Sequence, residues 1–403
     1  MRGKKMDGFI MREQLLDDLF SKWMPSNETE LVPIDESIGR ITASTLFSVN
    51  TLPVHRTSGC DGIAVKSELF KNGIPDYSIW REGIEFARAD TGDDFDDQYD
   101  AVIMIEEVDL TSDGSIKFIS EDINVVYGTN TAARGSTIAS GDLIIAADMP
   151  IRPSDIAALA MGGCCMVPVW KKPRIAFIPT GTELIPSQMR PKRGQNINTN
   201  SLMIKETLRA LGADPIIFPI IIDDNELLEK TLDDALLVAD VVVINGGSAK
   251  GGEDFNASLL ERKGQLLHHY VAAAPGRPLA VGIINEKPVI NLPGPTIAAF
   301  FGADWCLAAI VCRALRIPVP KKESVLCTLM QDITSSPAMA ILCRMEVKKG
   351  EDGYVAEPRS FRAGTMPACL TSNAMYVSPI GESKKKAGEK IEVELLRGKE
   401  FIR

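Results

Sequence analysis

Histidine is nearly missing from this chain. Its three residues, His55, His268 and His269, are too few and too badly spaced to complete a Cys/His zinc site. Eight cysteines, at 60, 164, 165, 306, 312, 327, 343 and 369, include no CxxC pair and lack the regular spacing of a small disulfide scaffold. They read as reduced core thiols of a cytosolic protein. Positive charge is also short: the formal net charge is −10, which argues against a nucleic-acid surface, because phosphate backbones are met by clustered Lys and Arg. A small polyanionic ligand stays compatible with that balance if backbone amides gather the positive potential locally. Residues 1–10 are basic but carry no apolar core segment or small-residue cleavage site, so no secretory signal is expected. The most apolar stretch, 297–315, contains Asp304 and Arg313 and follows a Pro-Gly turn; a buried helix is expected there, with no membrane span. Internal repeats and long low-complexity tracts are absent from the sequence.

What is present is an ordinary globular composition, 45% hydrophobic and 24% charged over 403 residues, enough for two to four domains at about 150 residues each. The pattern predicts a helix over 12–22, a second short element around 34–46, and short β-type runs from 51 to 148, among them 101–108 and 115–119. Helix returns over 149–170, with Pro153 near its start, Ser154 or Asp155 in its first turn and Gly162-Gly163 at its end. From 173 to 318 continuous apolar runs (174–178, 215–222, 241–244, 288–291) alternate with helical patterns (200–211, 226–238, 254–262, 297–315). That is the signature of a mainly parallel sheet covered on both faces. Pro318, Pro320, Lys321 and Lys322 mark a linker, and 324–403 alternates β-type runs with polar turns, as a small barrel or sandwich does. The expected fold is multidomain α/β plus β: an extended helical domain from 11–50 and 149–172, an inserted β-rich domain at 51–148, a central α/β domain at 173–318 and a C-terminal β-barrel-like domain at 319–403.

Three strands of the α/β region run into loops with binding character: Pro179-Thr180-Gly181-Thr182-Glu183, then Gly246 through Asp254, then Leu292-Pro293-Gly294-Pro295-Thr296. Ligands of open α/β sheets sit beyond the carboxyl ends of the strands, so these loops are expected to share one crevice. In the middle loop, Gly246, Gly247, Gly251 and Gly252 let successive N–H groups form an anion nest at a helix start. The plain alternative is a tight turn. Lys250 and Arg277 are candidate local cations. Glu253 and Asp254 have a capping alternative, and Asp223-Asp224 is a solvated turn and N-cap when taken alone. Gathered around a nest, such carboxylates suit Mg²⁺ that bridges phosphate oxygens. Cys60 has no His partner, and its neighbour Asp61 raises a thiol pKa, so it is not read as a nucleophile.

In this order the motifs resemble those of the molybdopterin molybdenumtransferases, the MoeA and gephyrin E-domain family. Ser58-Gly59-Cys60-Asp61-Gly62 after a Leu-Pro pair is similar to the family's Ser-Ala-Met-Asp-Gly. Asp100-Ala101-Val102-Ile103-Met104 resembles Ala-Asp-Ala-Val-Val-Met, Thr180-Gly181-Thr182-Glu183-Leu184 resembles Thr-Gly-Asp-Glu-Leu, and Gly194-Gln195 with Asn200-Ser201 resembles the family's Gly-Gln and Asn-Ser pairs. Gly246-Gly247 with Gly251 and Asp254 follows Gly-Gly-Val-Ser-Val-Gly-Glu-x-Asp, Pro275-Gly276-Arg277-Pro278 follows Pro-Gly-Lys-Pro, and Leu292-Pro293-Gly294 follows Leu-Pro-Gly-Asn-Pro.

The resemblance implies a cytoplasmic homodimer in molybdenum cofactor biosynthesis, with other proteins of that pathway as further partners. Its reaction is Mg²⁺-dependent insertion of molybdate into adenylylated molybdopterin with release of AMP. By position, the resemblance assigns Asp61, Glu183 and Asp254 to catalysis, with Glu183, Asp254 and one of Asp223 or Asp224 near the metal. Gly246, Gly247, Ser248, Lys250, Gly251, Arg277, Pro293 and Gly294 are assigned to the ligand. Asp61 is expected to act on the partner subunit's crevice. Thr182, Ala274 and Pro295-Thr296 depart from the family pattern. They open a second hypothesis, a ligand-binding protein of the same fold without turnover, and a third, a dimeric scaffold.

Overall fold

The structure is a computed structural model, and it describes residues 9–111, 114–120, 122–246, 255–334, 336–359 and 371–403. The chain divides into two compact units, one formed by Met1–Glu28 with Lys171–Arg403 and the other by Thr29–Trp170.

In the first unit a six-stranded sheet runs in the order Asp214–Ile217, Arg174–Pro179, Val241–Asn245, Lys287–Leu292, Ala280–Ile284, Gln265–His268. The first four strands are parallel and the last two join antiparallel. Ile175 faces Val241 and Val243 faces Ile290 in register, and side chains on both sheet faces are fully buried. Burial on both faces explains why these strands read as unbroken apolar runs. One core layer joins Ala176, Ile178, Val242, Ile244 and Val289 to Leu228, Leu232 and Leu236 of the helix Asn225–Val238 and to Leu259 and Leu260 of Phe255–Lys263. The two antiparallel strands were not foreseen in the sequence. The first of them, Ala280–Ile284, forms a hairpin with Lys287–Leu292 that turns on Asn285 and Glu286, both at positive φ (50° and 62°), so the turn lacks the glycine that usually announces one.

The apolar stretch is a helix as expected. It runs Thr296–Gly302, passes through a π turn at Ala303–Leu307 and continues as Ala308–Ala314. It is the helix among the described residues long and apolar enough to cross a membrane, and 72% of its most apolar window is buried inside the protein. Lys322 pairs with Asp304 at its middle. Helix Arg12–Lys22 also falls in this unit, with Leu15 and Leu19 fully buried and Asp18 bonded to His268 Nε2 at 2.7 Å. The sequence had grouped it with 149–172; its contacts are with the sheet strands Gln265–His268 and Ala280–Ile284. Beyond residue 323, the strands Ala340–Gly350, Gly353–Pro358, Ser324–Leu329, Lys390–Leu395 and Ala374–Val377 pair in that order. The last pairs back on the first, closing a five-stranded barrel.

The second unit carries little helix. Thr29–Pro33 pairs antiparallel with Met166–Trp170, and Leu46–Phe47 with Leu143–Ile145. Its α-helix, Pro153–Met161, starts on Pro153 with Asp155 closing a capping box and stops at Gly162. The second half of the stretch expected to be helical, Met166–Trp170, is therefore a strand: Val167 and Val169 are buried while Met166 is exposed, the period of two of a half-buried edge. In the β-rich part Gly62–Val65 is the middle strand between Phe86–Ala89 and Ala101–Met104.

Gly62 allows that middle strand to close: a Cβ there would lie 1.9 Å from the Ile103 carbonyl oxygen. Gly62→Ala is expected to lower stability by roughly 1–3 kcal/mol through forced backbone displacement. Thermal unfolding followed by circular dichroism reads this, and an unchanged Tm would show the strand pair relaxing without cost.

Candidate functional site

At the carboxyl ends of the parallel strands three loops meet. Gly246 sits at φ 108°, and a Cβ on it would lie 2.6 Å from the Thr180 carbonyl oxygen and 2.7 Å from Thr180 Oγ1. A Cβ on Gly294 would come within 3.7 Å of Gly246 Cα. Thr180 N and Oγ1 both donate to Asn245 O, at 2.9 and 3.1 Å, and Gly246 N donates to Leu292 O at 3.0 Å. The loops after Arg174–Pro179, Val241–Asn245 and Lys287–Leu292 thus form one backbone cluster, a floor at the end of the sheet where ligands of open α/β folds bind.

Four buried asparagines lie in and under that floor: Asn200, Asn245, Asn256 and Asn291, none more than 6% exposed. Asn200 Nδ2 donates to Asn245 Oδ1 at 2.9 Å and to Gly294 O at 2.7 Å. Asn245 Nδ2 donates to Pro293 O at 2.9 Å, and Asn256 Nδ2 to Gly246 O at 2.8 Å. The side-chain amides of Asn256 and Asn291 meet at 2.9 Å. Of these residues the sequence singled out only Asn200, through its motif. A polar residue ending an otherwise apolar strand, as Asn245 and Asn291 do, was the available signal for the others.

The carboxylates separate by role. Asp224 accepts from Leu227 N at 2.9 Å and caps the helix Asn225–Val238. Asp223 instead belongs to the first loop: Thr182 Oγ1 donates to Asp223 Oδ2 at 3.2 Å, and Asp223 N donates to Thr182 Oγ1 at 3.1 Å. Glu183 turns back on the same loop, its carboxylate 2.9–3.1 Å from where a Cβ on Gly181 would be. No group of three or more His, Cys, Asp or Glu side chains is poised as a metal cage among the described residues. Two carboxylates flanking one loop are nevertheless an all-oxygen donor set. That fits Mg²⁺, which takes one or two carboxylates and completes its shell with ligand oxygens and water. Asp254, together with Gly247, Ser248, Lys250 and Gly251, lies outside the described residues.

Arg277 is exposed, and its guanidinium lies 5.7 Å from the centre of the Phe9 ring. Ala274, where the family motif has Lys, lies in the short strand Ala273–Ala274 that pairs beside Ala340 and Ile341. Thr296, in place of the motif's Pro, brings its hydroxyl 3.1 Å from that of Thr199, linking the starts of two helices.

Asp61 lies in the other unit, in the turn leading to Gly62–Val65. Its Oδ1 accepts from Thr91 N and from Thr91 Oγ1, both at 2.7 Å. Those two bonds, the backbone one first, hold its pKa below the ordinary aspartate value. Cys60 beside it is pushed up, by burial first and then by Glu106, Asp61 and Glu107, in keeping with an inert thiol.

Comparison with known proteins adds to this geometry. Residues 10–163 match the model of the MoeA N-terminal region, domains I and II, and residues 176–311 match that of a probable molybdopterin binding domain. A molybdopterin molybdenumtransferase of Staphylococcus epidermidis is 26% identical over 393 residues, covering 92% of each chain. One of Haemophilus influenzae is 29% identical over 284 residues, covering 68% of this chain and 69% of that one. A molybdopterin biosynthesis MoeA protein of Pyrococcus horikoshii has a solved structure that superposes with a TM-score of 0.80 at 26% identity, over 97% of this chain and 100% of that one.

The Thr91 contacts set a pH signature. Thr91→Val deletes the hydroxyl bond and leaves the backbone one, so the Asp61 pKa is expected to rise toward its ordinary value. The wild-type carboxylate has a depressed folded pKa, so its contribution to stability is complete above the unfolded value and is lost as pH falls through the folded one. Carboxyl-carbon NMR titration of Asp61 between neutral and acid pH checks this, and overlapping curves for variant and wild type would contradict it.

Proposed function

Because this chain belongs to the MoeA family, we propose that it is a molybdopterin molybdenumtransferase of molybdenum cofactor biosynthesis. It takes adenylylated molybdopterin and molybdate as substrates and releases AMP in an Mg²⁺-dependent step. The observation that carries this is the convergence of the Thr180, Gly246 and Pro293 loops, which puts Glu183 and Asp223 beside a backbone floor of the kind that receives phosphate. Glu183 and Asp223, with Asp254, would hold Mg²⁺, which neutralises charge on phosphate oxygens when bound. The chain's own part is to fix the ligand. The backbone of Gly246, Pro293 and Gly294 receives its phosphates and Arg277 supplies charge; Gly247, Ser248, Lys250 and Gly251, outside the described residues, are assigned to the same ligand by the family motif. Asp61, held as a carboxylate by Thr91, is in this proposal a further acceptor that reaches the crevice of the second copy in the homodimer. The working form is a cytoplasmic homodimer in this proposal.

Thr182 favours a second reading, a binder without turnover, because a hydroxyl stands where the family motif carries a carboxylate. AMP release from adenylylated molybdopterin, titrated with molybdate at fixed Mg²⁺, separates the two. Molybdate-stimulated release is expected, abolished by chelating Mg²⁺ and reduced roughly 10²- to 10³-fold in Glu183→Ala. Saturable binding with no release under any molybdate concentration would establish the binder. Thr182→Asp restores the missing carboxylate and is expected to lower the Mg²⁺ concentration giving half-maximal release; an unchanged requirement would place Thr182 outside the metal's surroundings.

A further inference from the structure

Beneath the three loops, the carbonyls of the Pro293 turn are claimed one by one by buried side-chain amides. Asn245 Nδ2 takes Pro293 O at 2.9 Å, and Asn200 Nδ2 takes both Gly294 O at 2.7 Å and Asn245 Oδ1 at 2.9 Å. Asn200 and Asn245 are 6% and 2% exposed, so these bonds meet little competition from water. The peptide joining Pro293 to Gly294 is trans, and a trans peptide points its N–H opposite to its carbonyl. With the Pro293 carbonyl drawn down to Asn245, the Gly294 N–H is turned away from the amide layer. Gly294 also lies against Gly246, whose own carbonyl is held from below by Asn256 at 2.8 Å. The layer therefore sets how two of the three loops present their backbones.

We propose that Asn245, steadied by Asn200, is a positioning residue that aims the Gly294 N–H at a phosphate oxygen of the ligand. The inference rests on the transferase reading for the identity of that ligand, but its geometry concerns any phosphate at this turn. A positioning role predicts effects on ligand affinity out of proportion to the stability lost. It also predicts that Asn200 and Asn245 act as one unit, so that a double variant loses little more than either single one.

The test uses the full chain and inorganic pyrophosphate as probe. In wild type labelled with ¹⁵N-glycine, the Gly294 amide resonance is expected to shift on titration with pyrophosphate. In Asn245→Leu the shift is expected to be lost, and in Asn200→Ala reduced. KM for adenylylated molybdopterin is expected to rise roughly ten- to a hundredfold in both, with a smaller change in kcat. Leu236→Ala, a core change on the other side of the sheet domain's packing, supplies a variant of comparable stability loss with KM unchanged. A Gly294 resonance that does not move with pyrophosphate overturns the inference whatever the turnover assay gives. So does a KM in Asn245→Leu and Asn200→Ala no higher than that of Leu236→Ala. A Gly294 shift in a wild type that releases no AMP sustains the inference and rejects the transferase reading instead.

Discussion

Loop backbone at the end of a parallel sheet has no ladder to continue into, and this protein answers that constraint with buried asparagine. Asn245 and Asn291 end or nearly end two neighbouring strands, while Asn200 and Asn256 stand at the starts of two helices. An unpaired buried carbonyl costs about 1–3 kcal/mol, so a turn whose carbonyls face inward is stable only with donors beneath it. The primary amide is suited to this because its two hydrogens reach two acceptors at once, as Asn200 does with Asn245 Oδ1 and Gly294 O. The close approach of Gly246 to Thr180 depends on the same layer, since Asn256 holds the Gly246 carbonyl from one side and Thr180 accepts no side chain from the other.

What was legible in the sequence follows from burial. Strands covered on both faces print themselves as apolar runs, so Arg174–Pro179, Val241–Asn245 and Lys287–Leu292 were visible, and the helices between them followed with boundaries within a residue or two. Gln265–His268 was hidden because it is a half-buried edge strand with two polar ends. Met166–Trp170 was hidden because it continues directly from a helix, with a short Gly-Gly turn between them. The site was legible at its glycines and less so at its supports. A motif shows where a turn is; it does not show which buried amide holds the turn's carbonyls, because that partner comes from a strand or helix distant in sequence.

The adjacent aspartates illustrate the same limit on a smaller scale. Asp223 and Asp224 are indistinguishable in composition, and either satisfies the resemblance. One residue of offset sends them apart: Asp224 reaches the N–H of Leu227, three residues on, and caps a helix. Asp223 remains with the preceding loop and is bonded to Thr182. A capping carboxylate is already engaged by backbone amides, so its remaining capacity for a metal is the smaller. Asp223 keeps an oxygen that Thr182 does not take.

That pairing also gives the substitution at Thr182 a physical sense. Two carboxylates in that loop pair would repel and require a cation to hold them together. A hydroxyl can donate to Asp223 and accept from its backbone N–H, so the loop is ordered before any cation arrives. The exchange trades charge for preorganisation: less attraction for Mg²⁺ at long range, but less reorganisation when it binds. Thr296 follows the same logic, its hydroxyl tying the helix after Gly294 to Thr199, next to the asparagine that holds the Gly294 carbonyl. At Thr182 and Thr296 the chain sets a hydroxyl bonded within the protein where the family pattern has a carboxylate or a proline ring. That keeps the loops placed while making the ligand and its metal supply more of the charge balance themselves.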